Sequence, residues 1–286
     1  MPHRLAALYG LTWNPFSADV PVEALWRSAK LEDFCWRMED LVRGGGFALI
    51  TGPPGTGKSV ALRLLAPHLQ TLPDITAGAL TRPQSAMADF YRELGALFGL
   101  QLKPHNRWAG FKTLRDLWLA HVEGTRVRPV LLVDEAQEMP PATLAELRIL
   151  ASADFDARSI LTVVLCGDGR LTDQFRREDL LPIATRIRVR LTLEPLTPKE
   201  LLDWLRHALA QAGGPQLMTP EVMTAMSEHA LGNLRVLANM GNELLATAAR
   251  RELAQIDQKL YLETFASQPR PRTRTQATPA TARSLP

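Results

Sequence analysis

The sequence predicts an α/β fold: a parallel sheet sandwiched by helices, then a small all-helical lid and a disordered basic tail. Three observations predict it. Short apolar runs alternate with helix-spaced segments from Phe47 to Leu193, as strands do when crossover helices let them lie parallel. After Glu194-Pro195 the strand-like runs stop and only helical spacing continues. From Gln268 the chain is dominated by Pro, Arg, Thr, Ala and Gln with no apolar pattern, which predicts disorder. A length of 286 residues suffices for one large domain or two modest ones with a real core.

The expected boundaries follow from these shifts: a lead-in over 1–45 packing on the core, an α/β core over 46–194, a lid over 195–266 and a tail over 267–286. In the lead-in, Tyr9-Gly10-Leu11 and Asn14-Pro15-Phe16 are turn-forming and aromatic. After Pro21, the run Val22 to Val42 predicts a helix with apolar Leu25, Leu31, Phe34 and Leu41. Gly44-Gly45-Gly46 breaks it before the first strand.

That strand, Phe47-Ala48-Leu49-Ile50, runs into Gly52-Pro53-Pro54-Gly55-Thr56-Gly57-Lys58-Ser59, followed by the helix-compatible Val60, Ala61, Leu62, Leu64 and Leu65. The lettering is the phosphate-binding loop pattern, in the strand–loop–helix context it needs. Glycines let backbone N–H groups turn inward around nucleotide phosphates, and the following helix points its positive end at them. Residues 52–60 are therefore the expected nucleotide-binding segment, with Lys58 reaching the β- and γ-phosphates and the Ser59 hydroxyl binding Mg²⁺.

Ile75 to Leu80 predicts a second strand; Gln84 to Leu97 and Trp108 to Val122 have helical spacing. Val130 to Val133 then ends in Asp134-Glu135. An apolar strand ending in two acids is the partner a phosphate loop requires. Asp134 is expected to hold the Mg²⁺ and Glu135 to polarise the attacking water. Pro141 to Ala151 predicts a helix, and Ile160 to Leu165 a buried strand ending in Cys166-Gly167-Asp168. Ile187 to Leu193 alternates apolar and polar residues, as a half-exposed strand does. In the lid, Thr197-Pro198-Lys199-Glu200 is a capping box with Pro at the first helical position, and Thr219-Pro220-Glu221 opens a second helix. Gly232 to Arg250 and Leu253 to Phe265 complete the helical segment.

Composition narrows the classes. No apolar run reaches membrane-spanning length, and the N-terminus lacks a signal-peptide core, so a cytoplasmic, non-membrane protein is expected. Cys35 and Cys166 are far apart and form no motif, and the histidines show no zinc spacing. The net charge of +3 owes everything to the tail, which carries Arg270, Arg272, Arg274 and Arg283 and no acid. Without it, 29 basic residues face 30 acidic ones, so any nucleic-acid surface must be local.

The order YGL, NPF, GFALITGPPGTGKS, VLLVDEAQ, LAELRIL, ILTVVLCGDGRL, ATRIRVRLTLEPLT and ALGNLRVLANMGNELL resembles AAA+ ATPases. Within them it is similar to the ExeA-type ATPases and the related MuB-like and IstB-like transposition helpers, over about residues 8–265. The resemblance implies an ATP- and Mg²⁺-dependent P-loop NTPase. It places Asp168 where relatives carry a polar γ-phosphate sensor, more often an amide or hydroxyl, so a turn-capping role stands beside the sensor role. It implies that Arg186 reaches a neighbouring subunit's nucleotide, with Arg188 competing for the role, and that the lid's Arg235 senses nucleotide. Trp26 and the Asn14-Pro15-Phe16 turn are expected near the adenine.

Secretion members of the ExeA type carry a membrane anchor and a wall-binding region, neither of which is found in this sequence. On that ground the expectation is a transposition helper. ATP would assemble copies into a ring or filament on duplex DNA and assist a transposase, and hydrolysis would disassemble them. Arg82, Arg158 and the arginine tail are the candidate DNA contacts, mainly to phosphates. The alternatives are an ExeA-type secretion or assembly ATPase that never touches DNA and, last, a phosphotransferase using the same loop.

Overall fold

Five parallel strands, β1 (Gly46–Thr51), β2 (Ile75–Leu80), β3 (Arg128–Val133), β4 (Thr162–Gly167) and β5 (Ile187–Thr192), form one sheet in the order β2-β3-β4-β1-β5. This computed structural model describes residues 8–102 and 106–265, so the expected disordered tail lies outside the described residues. Strand alternation sorts the apolar runs onto two faces. Phe47, Leu49, Leu131, Val133, Val163 and Leu165 meet α3 (Met87–Leu97), α4 (Arg107–Ala120) and α5 (Pro141–Ala151). Ala48, Ile50, Leu132, Val164 and Cys166 meet α1 (Ala29–Gly44) and α2 (Lys58–Gln70) on the other face. The central runs are continuously apolar because both of their faces are covered. At the edge, β5 alternates buried Ile187, Val189 and Leu191 with exposed Arg188, Arg190 and Thr192.

Three details differ from expectation. The helix expected from Val22 is two elements: a single 3-10 turn, Val22–Ala24, and α1, which starts at Ala29. Ser28 is the reason, since its hydroxyl caps the helix by accepting from the Leu31 N–H, and Leu25 before it is extended. Second, a two-residue ladder, Ser152–Ala153 against Arg158–Ser159, precedes β4. Its tip, Asp154-Phe155-Asp156, has three successive residues at positive φ, a conformation the two aspartates tolerate and Phe155 rarely adopts. Third, the lead-in does not pack on the α/β core as one piece. Its helix α1 does, but Leu11 and Phe16 are buried in the lid.

The lid comprises α7 (Pro198–Gln211), α8 (Pro220–His229), α9 (Leu234–Arg251) and α10 (Gln258–Phe265); α6 (Gly169–Gln174) belongs to the core. The capping box opens α7 as its lettering requires. Thr197 accepts from the Glu200 N–H, and the Glu200 carboxylate accepts from the Thr197 N–H at 2.8 Å. Gly241 in mid-α9 makes room for the lead-in: a Cβ there would stand 2.6 Å from the Phe16 ring. The Asn14 amide donates to Asn242 Oδ1 at 2.7 Å, and the Asn242 amide donates to the Phe16 carbonyl at 2.9 Å. Burying one such aromatic contributes about 1.5–3 kcal/mol, which outweighs the ~1 kcal/mol a helical glycine costs.

Candidate functional site

The strand order creates the site. Because β4 lies between β1 and β3, the loops that leave the three strands emerge side by side at one sheet edge, where open parallel sheets bind ligands. Ile50 registers with Cys166, and Val133 with Leu165. The glycine loop, Asp134-Glu135 and Asp168 are thereby neighbours.

In the loop, Gly55 and Gly57 have φ of +85° and +97°, and Gly57 is the residue from which α2 starts. Those angles, which glycine takes without strain, carry the chain into the start of α2, the helix's positive end. Gly52 lies so close to the Leu193 carbonyl that no side chain fits. Thr56 is buried and donates to the Pro53 carbonyl at 2.9 Å, closing the turn. Lys58 is only 7% exposed, and its ammonium donates to the carbonyls of Gly52 and Pro53 at 2.9 and 3.1 Å. It has no carboxylate partner among the described residues. A buried cation held only by carbonyl dipoles at a helix's positive end fits a polyphosphate.

The acidic strand end is equally constrained. Asp134 accepts from the Glu135 N–H at 2.9 Å, and Glu135 has a left-handed φ of +49°. The Glu135 carboxylate accepts from the side-chain amide of Gln137, which is 5% exposed. The other end of that amide accepts from the Asp168 N–H at 3.2 Å. Because a backbone N–H can only donate, the amide is oriented with its NH₂ on Glu135. Gln137 therefore joins the two acidic strand ends. The letter was visible in VLLVDEAQ, but only packing revealed that the side chain turns inward.

Asp168 caps α6 by accepting from the Arg170 N–H at 2.9 Å, and its carboxylate pairs with the Arg170 guanidinium, which also reaches Glu138. The hydrogen bond from Arg170 holds this carboxyl below its usual range. Of the two alternatives for Asp168, these are the bonds of the cap. Burial pushes the Cys166 thiol up, with Asp134 adding to the effect, so it packs as a neutral thiol. No cluster of three or more His, Cys, Asp or Glu suited to a metal occurs among the described residues. A magnesium ion here would draw on Ser59, Asp134 and phosphate oxygens, which matches that ion's habit of sharing ligands with phosphate.

A cavity of about 550 Å³ opens over the loop between core, lead-in and lid. Gly55, Lys58, Ser59, Val60 and Glu135 line it from the core, and Arg235 from the lid. Pro15, Phe16 and Trp26 line the end toward the lead-in. Two ties missed in the sequence hold its walls. Asn233 caps α9 through the N–H groups of Arg235 and Val236, and its amide donates to the Pro54 carbonyl at 3.2 Å. Arg63 of α2 donates to the Ala18 carbonyl at 2.7 Å, fixing the lead-in.

The remaining predicted residues lie elsewhere. Arg186 precedes β5 at the opposite sheet edge, since Ile187 registers with Phe47 at the start of β1. It pairs with Asp156 and donates to the Pro182 carbonyl. Arg188 also lies at that edge, within reach of the Gly45 carbonyl. Arg82 follows β2 at the loop edge, whereas Arg158 is at the far edge and is paired with Glu123 and Asp154. The two form no common surface, and the tail arginines lie outside the described residues.

Residues 42–175 match the family model described as AAA domain. The fold is that of an AAA+ P-loop NTPase. This chain resembles the Aeropyrum pernix ORC2 protein in its ADPNP-ADP complexes, with TM-score 0.68 and 15% identity over 88% of this chain and 70% of that one. It also resembles the Aeropyrum pernix ORC1 protein in complex with DNA, with TM-score 0.66 and 18% identity over 88% and 68% of the respective chains. At such identities the likeness is one of fold. In sequence, General secretion pathway protein A of Aeromonas hydrophila is 31% identical over 251 residues. That match covers 85% of this chain but 44% of the relative, so the chain spans less than half of that protein's length. The sequence relative is thus a secretion-pathway protein, and the expected narrowing toward transposition helpers gains no support from it. No described helix is long and apolar enough to cross a membrane.

Proposed function

We propose that this chain is an ExeA-type ATPase that hydrolyses ATP with Mg²⁺ and serves a secretion or assembly system. The observation that carries the enzymatic part is the convergence of Lys58, Glu135 and Arg235 on one cavity spanning core and lid. The 31% identity to a secretion-pathway protein over most of the chain supports the setting. In this reading residues 52–60 bind the nucleotide, with Lys58 on its phosphates. Ser59 and Asp134 hold the metal, which supplies charge neutralisation at the phosphates. Glu135 orients the attacking water, and Gln137 holds the Glu135 carboxylate. Arg235 brings the lid onto bound nucleotide, while Asn233 keeps the lid registered on the loop. Asp168 orders the strand end. Arg186, a strand's length from its own loop, completes the site of a second copy in a ring or filament.

A second reading, ATP-driven assembly on duplex DNA in aid of a transposase, rests on the motif order that transposition helpers share with ExeA-type proteins. Its candidate contacts are weak: Arg158 is neutralised by two acids, and Arg82 is at the other edge. One experiment serves both readings. Purified chain is assayed for ATP hydrolysis and sedimentation, with and without magnesium and duplex DNA at low salt. Magnesium-dependent hydrolysis indifferent to DNA is expected. Strong stimulation by DNA moves the assignment to the second reading, and no binding of ATP with magnesium sinks both.

A further inference from the structure

At the sheet edge opposite the phosphate loop lies a second cleft, of about 380 Å³. Six arginines wall it: Arg43, Arg128, Arg148, Arg158, Arg186 and Arg188. Asp156 is the one acid on its wall among the described residues. Arg158 is engaged by Glu123 and Asp154, Arg186 by Asp156, and Arg43 loosely by Asp40 at 3.9 Å. Arg128, Arg148 and Arg188 have no ion pair among the described residues, and Arg128 and Arg148 are half-buried. Like charges crowded on a concave wall raise the local potential and repel one another until an anion arrives. Guanidinium forks pair with phosphate oxygens two at a time. Several forks converging on a small volume suit a group that concentrates several charges, as a polyphosphate does and single carboxylates do not.

The chain's own nucleotide cannot supply that group. Strand β1 separates Gly46, on the cleft wall, from Gly52, where the phosphate loop begins. Six residues of strand span roughly 20 Å.

We propose that this cleft is a second anion site that binds a free polyphosphate anion. Arg128, Arg148 and Arg188 are its receiving cations. Asp156 is the internal anion that occupies Arg186 until the ligand displaces it. The ligand is a free phosphorylated anion; contact with a second copy's nucleotide is the role already proposed for Arg186 and is an outcome of the test.

The test is calorimetric titration of the full Lys58→Ala chain with inorganic tripolyphosphate at low salt, because that substitution disables the phosphate loop and leaves the cleft intact. One binding event is expected. Adding Arg148→Ala with Arg188→Ala should weaken it at least tenfold, and Asp156→Asn should tighten it severalfold. Arg148→Lys with Arg188→Lys keeps the charge without the forks and should weaken it by less. Melting curves check folding. Wild-type chain saturated with ATP and magnesium is a second background in which the same event should appear. Absence of the event in both backgrounds, or an affinity indifferent to the arginine pair, overturns the proposal. So does equal competition by polyglutamate or duplex DNA at matched charge. Sedimentation with a non-hydrolysed ATP analogue separates the cleft from the contact between copies. Assembly retained in the Arg148→Ala, Arg188→Ala chain is expected, and assembly lost with nucleotide binding retained overturns the proposal, because the cleft then serves that contact. ATP affinity is measured separately, so that loss of the cleft event alone leaves the ATPase reading standing.

Discussion

At its carboxyl edge the central sheet carries a glycine loop and one buried lysine, whereas at its amino edge it carries six guanidinium groups. The first is assembled from nine consecutive residues, 52–60. The second draws on residues scattered from Arg43 to Arg188 and exists only because the strands bring their starting ends together. A site made from a local stretch is preorganised by its own backbone angles. A site made from distant side chains must be held by ion pairs such as Arg186 with Asp156, which an incoming anion can rearrange.

The comparison is most exposed at Arg186. Arg186→Ala should lower ATP turnover on the order of 10³-fold while ATP affinity stays unchanged, which is what the proposed role at another copy's phosphates requires. Mixing that variant with Lys58→Ala chains should recover activity, since each supplies what the other lacks. Wild-type turnover by an Arg186→Ala monomer would break the link between the two edges. Next in size, Glu135→Gln should cost about 10²-fold in turnover and leave ATP-bound assemblies that persist in sedimentation. Gln137→Leu should cost less, roughly tenfold in kcat with KM unmoved, since only the orientation of Glu135 is lost. An altered KM with kcat preserved would remove Gln137 from that role.

Gly241→Ala tests the lid apart from either edge. Its methyl would enter the Phe16 ring and destabilise the lid by about 1–3 kcal/mol, read as a lower melting temperature. The smallest effect concerns pH. Arg170 holds the Asp168 carboxyl below its usual range, so the pair stabilises the fold above the ordinary carboxylate pKa. That contribution disappears as pH falls through the lowered value. The melting difference between wild type and Arg170→Ala should therefore be present at neutral pH and vanish in strong acid. A difference that grows in acid would contradict the assignment.

The elements that were legible share a physical feature: their signals are local. The phosphate loop, the Asp134-Glu135 strand end, the alternation of β5 and the Thr197–Glu200 capping box each sit within a few residues, where backbone preference and side-chain spacing act directly. From Val22 the apolar spacing runs on through Ser28, whose cap nevertheless starts the helix afresh at Ala29. The lead-in divides between core and lid, and nothing near Phe16 announces that its ring fills the space beside Gly241, far along the chain.

By itself the sequence determined that a strand, a glycine turn and a helix would form around Lys58, and that an acidic strand end would accompany them. Tertiary structure alone decided that β4 inserts between β1 and β3, that Gln137 bridges Glu135 to the Asp168 backbone, and that six arginines share one wall. The reason is one of range. Backbone angles and caps are decided over a few bonds, whereas a bridging amide or a charged cleft exists only when burial of both sheet faces has brought distant residues within hydrogen-bond or Coulomb reach.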